Sequence, residues 1–135
     1  MGQQQLLLII LAIVIVGLAI VAGISIFRGS AVDAARDAVS LDVQDLGARA
    51  QAYYRKPHLL GGGGSSFTTS YGQVIGIGAL TTMTSNNNGR YFIDPSASTA
   101  QRLVIVGKGN EVVGTDSVEV QAIVTSTSIQ TQVVR

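Results

Sequence analysis

Leu6–Phe27 reads LLLIILAIVIVGLAIVAGISIF, 22 residues whose only polar side chain is Ser25. At a rise of about 1.5 Å per residue such a run spans about 33 Å as a helix, enough to cross the hydrocarbon core of a bilayer. Hydrocarbon offers backbone amides no partners, so a helix is expected despite the many β-branched Ile and Val residues. No ionisable side chain occurs from Met1 to Phe27, and the 9 basic and 8 acidic residues of the 135-residue chain all fall between Arg28 and Arg135. The mean hydropathy of +0.40, with only 13% charged residues, is therefore a property of one end. A cleaved secretory signal has a basic start, a shorter apolar core and a small-residue cleavage site, whereas the flank here is Met1, Gly2 and three glutamines. An ordinary signal peptide is the weaker reading. Arg28 is the only charge close to either end of the run, so charge does not orient it across a membrane.

Within the run, Ala19 and Gly23 form a small-xxx-small pair, and Ala12, Gly17 and Ala22 add shallow positions where another helix can approach closely. Gly and Ala are also simply common in membrane helices. We take Gln5, Ala12, Gly17, Ala19 and Gly23 as the candidate residues for packing between helices.

The pattern changes after Phe27. A kink is expected at Gly29-Ser30, where two poor helix formers meet. From Ala31 to Lys56, Val32, Val39, Leu46 and Tyr53 recur every seven residues, with Ala35, Val43 and Ala50 beside them. Asp33, Arg36, Asp37, Asp42, Asp45 and Arg49 lie mostly on other faces. Arg55 and Lys56 suit the negative end of the helix dipole, and Pro57 ends the helix. Residues 3–56 thus form one nearly continuous rod of roughly 80 Å, too long for a small domain to cover.

The remainder is strand chemistry. Gly61–Ser66, GGGGSS, reads as a flexible connector and not a phosphate loop, because no Lys-Ser/Thr pair opening a helix follows it. Beyond Gln73 the residues turn to Val, Ile, Thr, Ser and Gly. Val74–Thr84 is expected to be a strand or short helix, Asn88-Gly89 a turn, and Arg90–Asp94 a strand. Leu103–Val106 is apolar on both faces, and Gly107–Asn110 is expected to turn. Ser117–Val134 reads as one long strand in which Val118, Val120, Ala122 and Val124 share a parity opposite to that of Ile129, Thr131 and Val133. A bulge or bend near Thr125–Ser128 would restore a single buried face. The expected fold is α+β: a long N-terminal helix packed on a small antiparallel sheet of three to four strands. Its segments are an apolar helix over 1–27, an amphipathic continuation over 28–57, a Gly-rich linker over 58–72 and a β domain over 73–135.

Charge and motif content argue against several functions. A net charge of +1 without a basic run leaves nothing for nucleic-acid phosphates. There is no Cys for a disulfide or thiolate. His58 has no second ligand at metal spacing, and Asp94, Glu111, Asp116 and Glu119 are too scattered for calcium. Gly76-Ile77-Gly78 lacks the third Gly of a dinucleotide fingerprint, and Gly107-Lys108-Gly109 lacks the Ser or Thr of a P-loop. No Ser-His-acid set can be assembled around the single His. Neither a catalytic residue, a cofactor nor a metal site is expected.

The brief polar start MGQQQLLLI, the apolar run, the amphipathic stretch AVDAARDAVSLDVQDLGARAQAYYRKP over Ala31–Pro57 and LGGGGSSF over Leu60–Phe67 together resemble a bacterial type IV pilin-like group. The resemblance covers about the first half of the chain. It implies a helix held first in the cytoplasmic membrane and later in the core of a helical filament, with the strand domain outside and a pilus or type II secretion kind of assembly machinery as partner. Typical members have a basic leader ending in Gly and a Glu at the fifth mature position. Here the leader would be Met1-Gly2 alone. Leu7 is fifth if it is removed and Gln5 is fifth if it is not, and no acid precedes Asp33. The family's Glu is thus absent, and the glutamine cluster is expected to substitute for it through hydrogen bonds.

The function expected is a structural subunit of an extracellular, cell-surface filament that polymerises with itself through Leu6–Phe27. The alternatives are a membrane-anchored binding module, to whose surface Tyr71, Tyr91 and Phe92 would contribute, and a minor pseudopilin of a secretion or uptake machine. Of those three aromatics, Phe92 is expected in the core.

Overall fold

The computed structural model describes residues 2–135. Met1, and with it the question of a Met1-Gly2 leader, lies outside the described residues. One helix, α1 (Gly2–Arg55), packs on a four-stranded antiparallel sheet of β1 (Gly89–Ile93), β2 (Leu103–Val113), β3 (Asp116–Val124) and β4 (Ile129–Val133). The strands follow in chain order across the sheet, so the topology is a meander. The architecture is the expected α+β arrangement with four strands.

α1 runs through Gly29-Ser30 as helix without interruption. Two poor helix formers cost about 1–2 kcal/mol together, which the hydrogen bonds of a 54-residue helix absorb. The helix lies chiefly across β2 and β3, with a smaller contact on β4. Its buried residues are Val39, Val43, Leu46, Gly47 and Ala50, while Val32 and Tyr53 are half-buried at the two ends of the stripe. They meet Phe67, Ile75, Leu80, Tyr91, Leu103, Ile105, Val118, Val120, Ala122 and Val124 in one core. No residue of α1 before Val32 belongs to that core or packs against it.

Pro57 has no amide proton to continue α1, and the last carbonyls of a helix need other donors. The glycine run supplies them. The amides of Gly63, Gly64 and Ser65 donate to the carbonyls of Tyr53, Lys56 and Tyr54, and Gly62 donates to Pro57. What reads in sequence as a flexible connector is a backbone-bonded cap, with Gly62 and Gly63 buried. Phe67 then enters the core, its ring centroid 4.8 Å from that of Tyr54.

Four expectations about the strands and turns are corrected or refined. Gly107–Asn110 lies inside β2, and the reversal falls instead at Gly114-Thr115, where Gly114 has φ 68. Gly107 is in the strand because the helix comes closest there: a Cβ on it would lie 2.7 Å from both Val39 Cγ1 and Val43 Cγ2. Ser117–Val134 is two strands, with Thr125–Ser128 as the link between β3 and β4. The change of parity is thereby a hairpin, and Val124, Ala122 and Val120 pair with Ile129, Thr131 and Val133 on one face. Val74–Thr84 contains only a short 3-10 turn at Ile77–Ala79 and one isolated bridge, Thr68 with Val74. At Asn88-Gly89 the chain is reversed from one residue earlier, by Asn86 Oδ1 accepting from the amides of Asn88 and Gly89, and Gly89 already opens β1.

Candidate assembly surface

The first half of α1 projects away from the head formed by the sheet and the second half. Its large apolar residues from Leu6 to Phe27 are 52% to 75% exposed, and the most apolar stretch of the helix has none of its residues buried. By length and composition this helix is able to cross a membrane. Such a continuous surface far exceeds the few hundred Å2 of apolar patch that soluble monomers usually expose.

Gln5, Ala12, Gly17, Ala19 and Gly23 are all exposed on this projecting half. A Cβ built on Gly17 or Gly23 meets nothing within 4 Å, so no contact inside the molecule requires either glycine. At about 100° per residue, Gln5, Ala12, Ala19 and Gly23 fall within about 40° of one another, on the face opposite that of Val39, Val43, Leu46 and Ala50. Gly17 falls nearer the side of the head. The five candidates therefore form one row of four and an outlier, a distinction that the small-xxx-small spacing alone does not make.

The head is fixed to the helix by a polar hub that sequence reasoning missed. Asp42 Oδ2 accepts from Asn86 Nδ2 and Asn88 Nδ2, each at 2.8 Å, and from the Tyr91 hydroxyl. Burial pushes the Asp42 carboxyl up, but the bonds from Tyr91, Asn88 and Asn86 outweigh it and hold the group below the usual carboxylate range. The Tyr91 phenol is raised well above its usual value, first by burial and then by its bond to the Asp42 carboxylate. The available signal was the NNN run before Gly89 in combination with an acid at the edge of the helix stripe. Neither half of it points to the other without the fold. Gln51 Nε2 donates to the Thr125 carbonyl at 3.1 Å and holds the other side of the helix to the β3–β4 link.

Tyr91 is a core residue, while Phe92 faces outward with Lys108 Nζ 5.8 Å from its ring centroid, which reverses the expectation that Phe92 is the buried one. Strand alternation puts only one of two neighbours inward, and the helix covers the Tyr91 face. Tyr71 is exposed and joins neither of them.

Where the projecting half meets the head, clefts lie on either side of the β2–β3 tip. One is lined by Phe27, Arg28, Ala31, Val32, Asn110, Glu111 and Val112. The other is lined by Arg28, Gly29, Val32, Asp33, Arg36, Val112 and Gly114. Arg36 Nε is buried with no hydrogen-bond partner among the described residues, although Arg36 Nη1 reaches Asp33 Oδ1 at 3.4 Å. Among the described residues no three His, Cys, Asp or Glu side chains gather closely enough to hold a metal ion. No protein-family model, curated protein or solved structure matches the chain.

Proposed function

We propose that the protein is a non-catalytic structural subunit of an extracellular helical filament resembling a type IV pilus, with the cytoplasmic membrane as its store before assembly. The observation that carries this reading is the apolar half of α1, which its own head leaves bare over Leu6–Phe27. Two environments relieve that exposure without refolding: lipid and the same segment of other copies. At about 25 cal/mol per Å2, covering on the order of 1,000 Å2 of apolar surface per subunit contributes about 25 kcal/mol before ordering entropy is subtracted. Transfer from lipid to a bundle exchanges one apolar surrounding for another, so close backbone approach at small residues decides whether rods associate. The row of Gln5, Ala12, Ala19 and Gly23 faces away from the head, where a filament with its heads outside brings rods together. Contacts between unlike faces of successive copies give an open helical polymer and not a closed ring. The partners of this reading are further copies of the chain, the membrane and an assembly machinery that lifts the rod from lipid.

Mechanical shearing of cells that make the protein, followed by electron microscopy and intact mass of the released material, tests it. Thin fibres built of this polypeptide are the expected result. Recovery only as detergent-soluble monomer overturns it.

A further inference from the structure

Resting on the membrane-stored state proposed above, we infer that the tip of the β2–β3 hairpin seats on the bilayer surface as a second membrane contact, formed by Val112 beside Phe27 and Arg28. The depth of the rod in a bilayer is set by its first charge. Phe27 ends the apolar run and is 75% exposed, and Arg28 follows it. Drawing a guanidinium to the bilayer centre costs about 2.5–3.5 kcal/mol, whereas at the headgroup level its stem lies in hydrocarbon and its charge in water. Phe27 and Arg28 therefore mark the edge of the hydrocarbon.

The hairpin reaches that same level. Gly107 and Gly109 lie against Val39, and beyond them the register of β2 on β3 shifts between Lys108 and Val112, so that the last pairs are Val112 with Ser117 and Val113 with Asp116. Val112 lines both clefts, with Phe27, Arg28 and Val32 across one and Arg28, Gly29 and Arg36 across the other. It is 56% exposed, an apolar side chain near the end of β2 that the fold covers only in part. Around it stand Arg28 and Arg36 against Asp33 and Glu111, a mixed and nearly balanced set that suits zwitterionic headgroups. The head is packed on the same continuous helix, so the rod alone leaves the tilt of the whole chain on the membrane free, and a second point of contact fixes it.

The chain has no Trp, so single substitutions give unambiguous indole emission. Phe27→Trp, Val112→Trp and Leu59→Trp variants of the full chain are reconstituted in phosphatidylcholine vesicles whose acyl chains are brominated close to the headgroup. Leu59 is 95% exposed just beyond the far end of α1, about 45 Å along the rod from Phe27. The expected result is loss of emission by V112W similar in size to that of F27W, with L59W unquenched. Quenching of F27W while V112W matches L59W overturns the hairpin contact and leaves the membrane store standing. A blue shift of V112W without bromine quenching also overturns it, since a second copy then covers the tip. Absence of quenching at both Phe27 and Val112 removes the membrane store and the inference together. Quenching at all three positions means that the chain lies flat on the surface, which overturns the inference as well.

Discussion

Gly107 decides how closely helix and sheet meet. Its hydrogen faces Val39 and Val43, and a methyl there would lie 2.7 Å from each. Gly107→Ala is expected to destabilise the head by about 1–3 kcal/mol, as overpacking of a filled core does. The check is a thermal melt in detergent, with Val112→Ala, at the exposed hairpin tip, nearly unchanged as the control. Asp42 is the second decisive residue, because its carboxylate takes three side-chain donors from the Asn86–Tyr91 segment of the head. Its folded pKa is depressed, so its contribution to stability is complete above the unfolded value near 4 and is lost as pH falls through the folded one. Tyr91 has the opposite sign: its pKa is raised, so its contribution is complete below the unfolded value near 10 and is lost as pH rises from there through the folded one. The head should therefore lose stability on acidification below about pH 4, and Asp42→Asn should show a shallower acid limb from a lower starting point. Denaturant midpoints across pH measure both. An acid limb identical in wild type and D42N would remove Asp42 from the account. Asp94 is also depressed, through bonds from the Ser96 side chain and amide, and its loss falls in the same window.

At the scale of elements, the end of α1 shows what sequence carries and what it hides. Pro57 announces the stop, and the heptad Val32, Val39, Leu46, Tyr53 announces the face, because both are local rules of helix chemistry. The glycine run hides its role. Four glycines read as slack, yet they are what lets amides come close enough to reach the carbonyls of Tyr53, Tyr54 and Lys56. A Cβ on Gly63 would drive into the carbonyl oxygen of Ser66 and the Tyr53 ring. We expect Gly63→Ala to lower stability by at least about 2 kcal/mol and to loosen Phe67, read as faster amide exchange at Ser65 and Phe67. Normal exchange in that variant would return the run to the status of a linker. The strands went the same way. Alternation identified Val118, Val120, Ala122 and Val124 as one face and flagged the switch of parity before Ile129, but a bulge and a hairpin leave the same parity signature. Long-range pairing distinguishes them. Gly107-Lys108-Gly109-Asn110 misled for a related reason: in a strand, glycine marks close approach as often as a turn, and what approaches is a helix more than sixty residues earlier in the chain. Asp42 with Asn86 and Asn88 was illegible for the same cause, a hub whose parts are 44 and 46 residues apart.

At the scale of the whole molecule the division of labour falls near Val32. Every buried core residue lies at or beyond Val39, and no described helix residue before Val32 joins the core. Charge placed on the bare half should then leave the head folded and remove association: Ala19→Asp buries an unpartnered carboxylate between rods, and fibre yield after shearing should fall to background while the melt of the detergent-held protein is unchanged. Fibres at normal yield would mean that rods do not pack through this face. The converse experiment removes residues 2–27. The shortened helix begins at Arg28 and keeps Val32, Val39, Val43, Leu46 and Ala50 for the core. The truncated chain is expected to be a soluble monomer that melts within a few degrees of the full chain in detergent, by circular dichroism and size-exclusion chromatography. Unfolding or aggregation of the truncated chain would show that the apolar half supports the head after all. Fibres from it would place the assembly contacts in the head and set aside the bare rod as the cause of polymerisation.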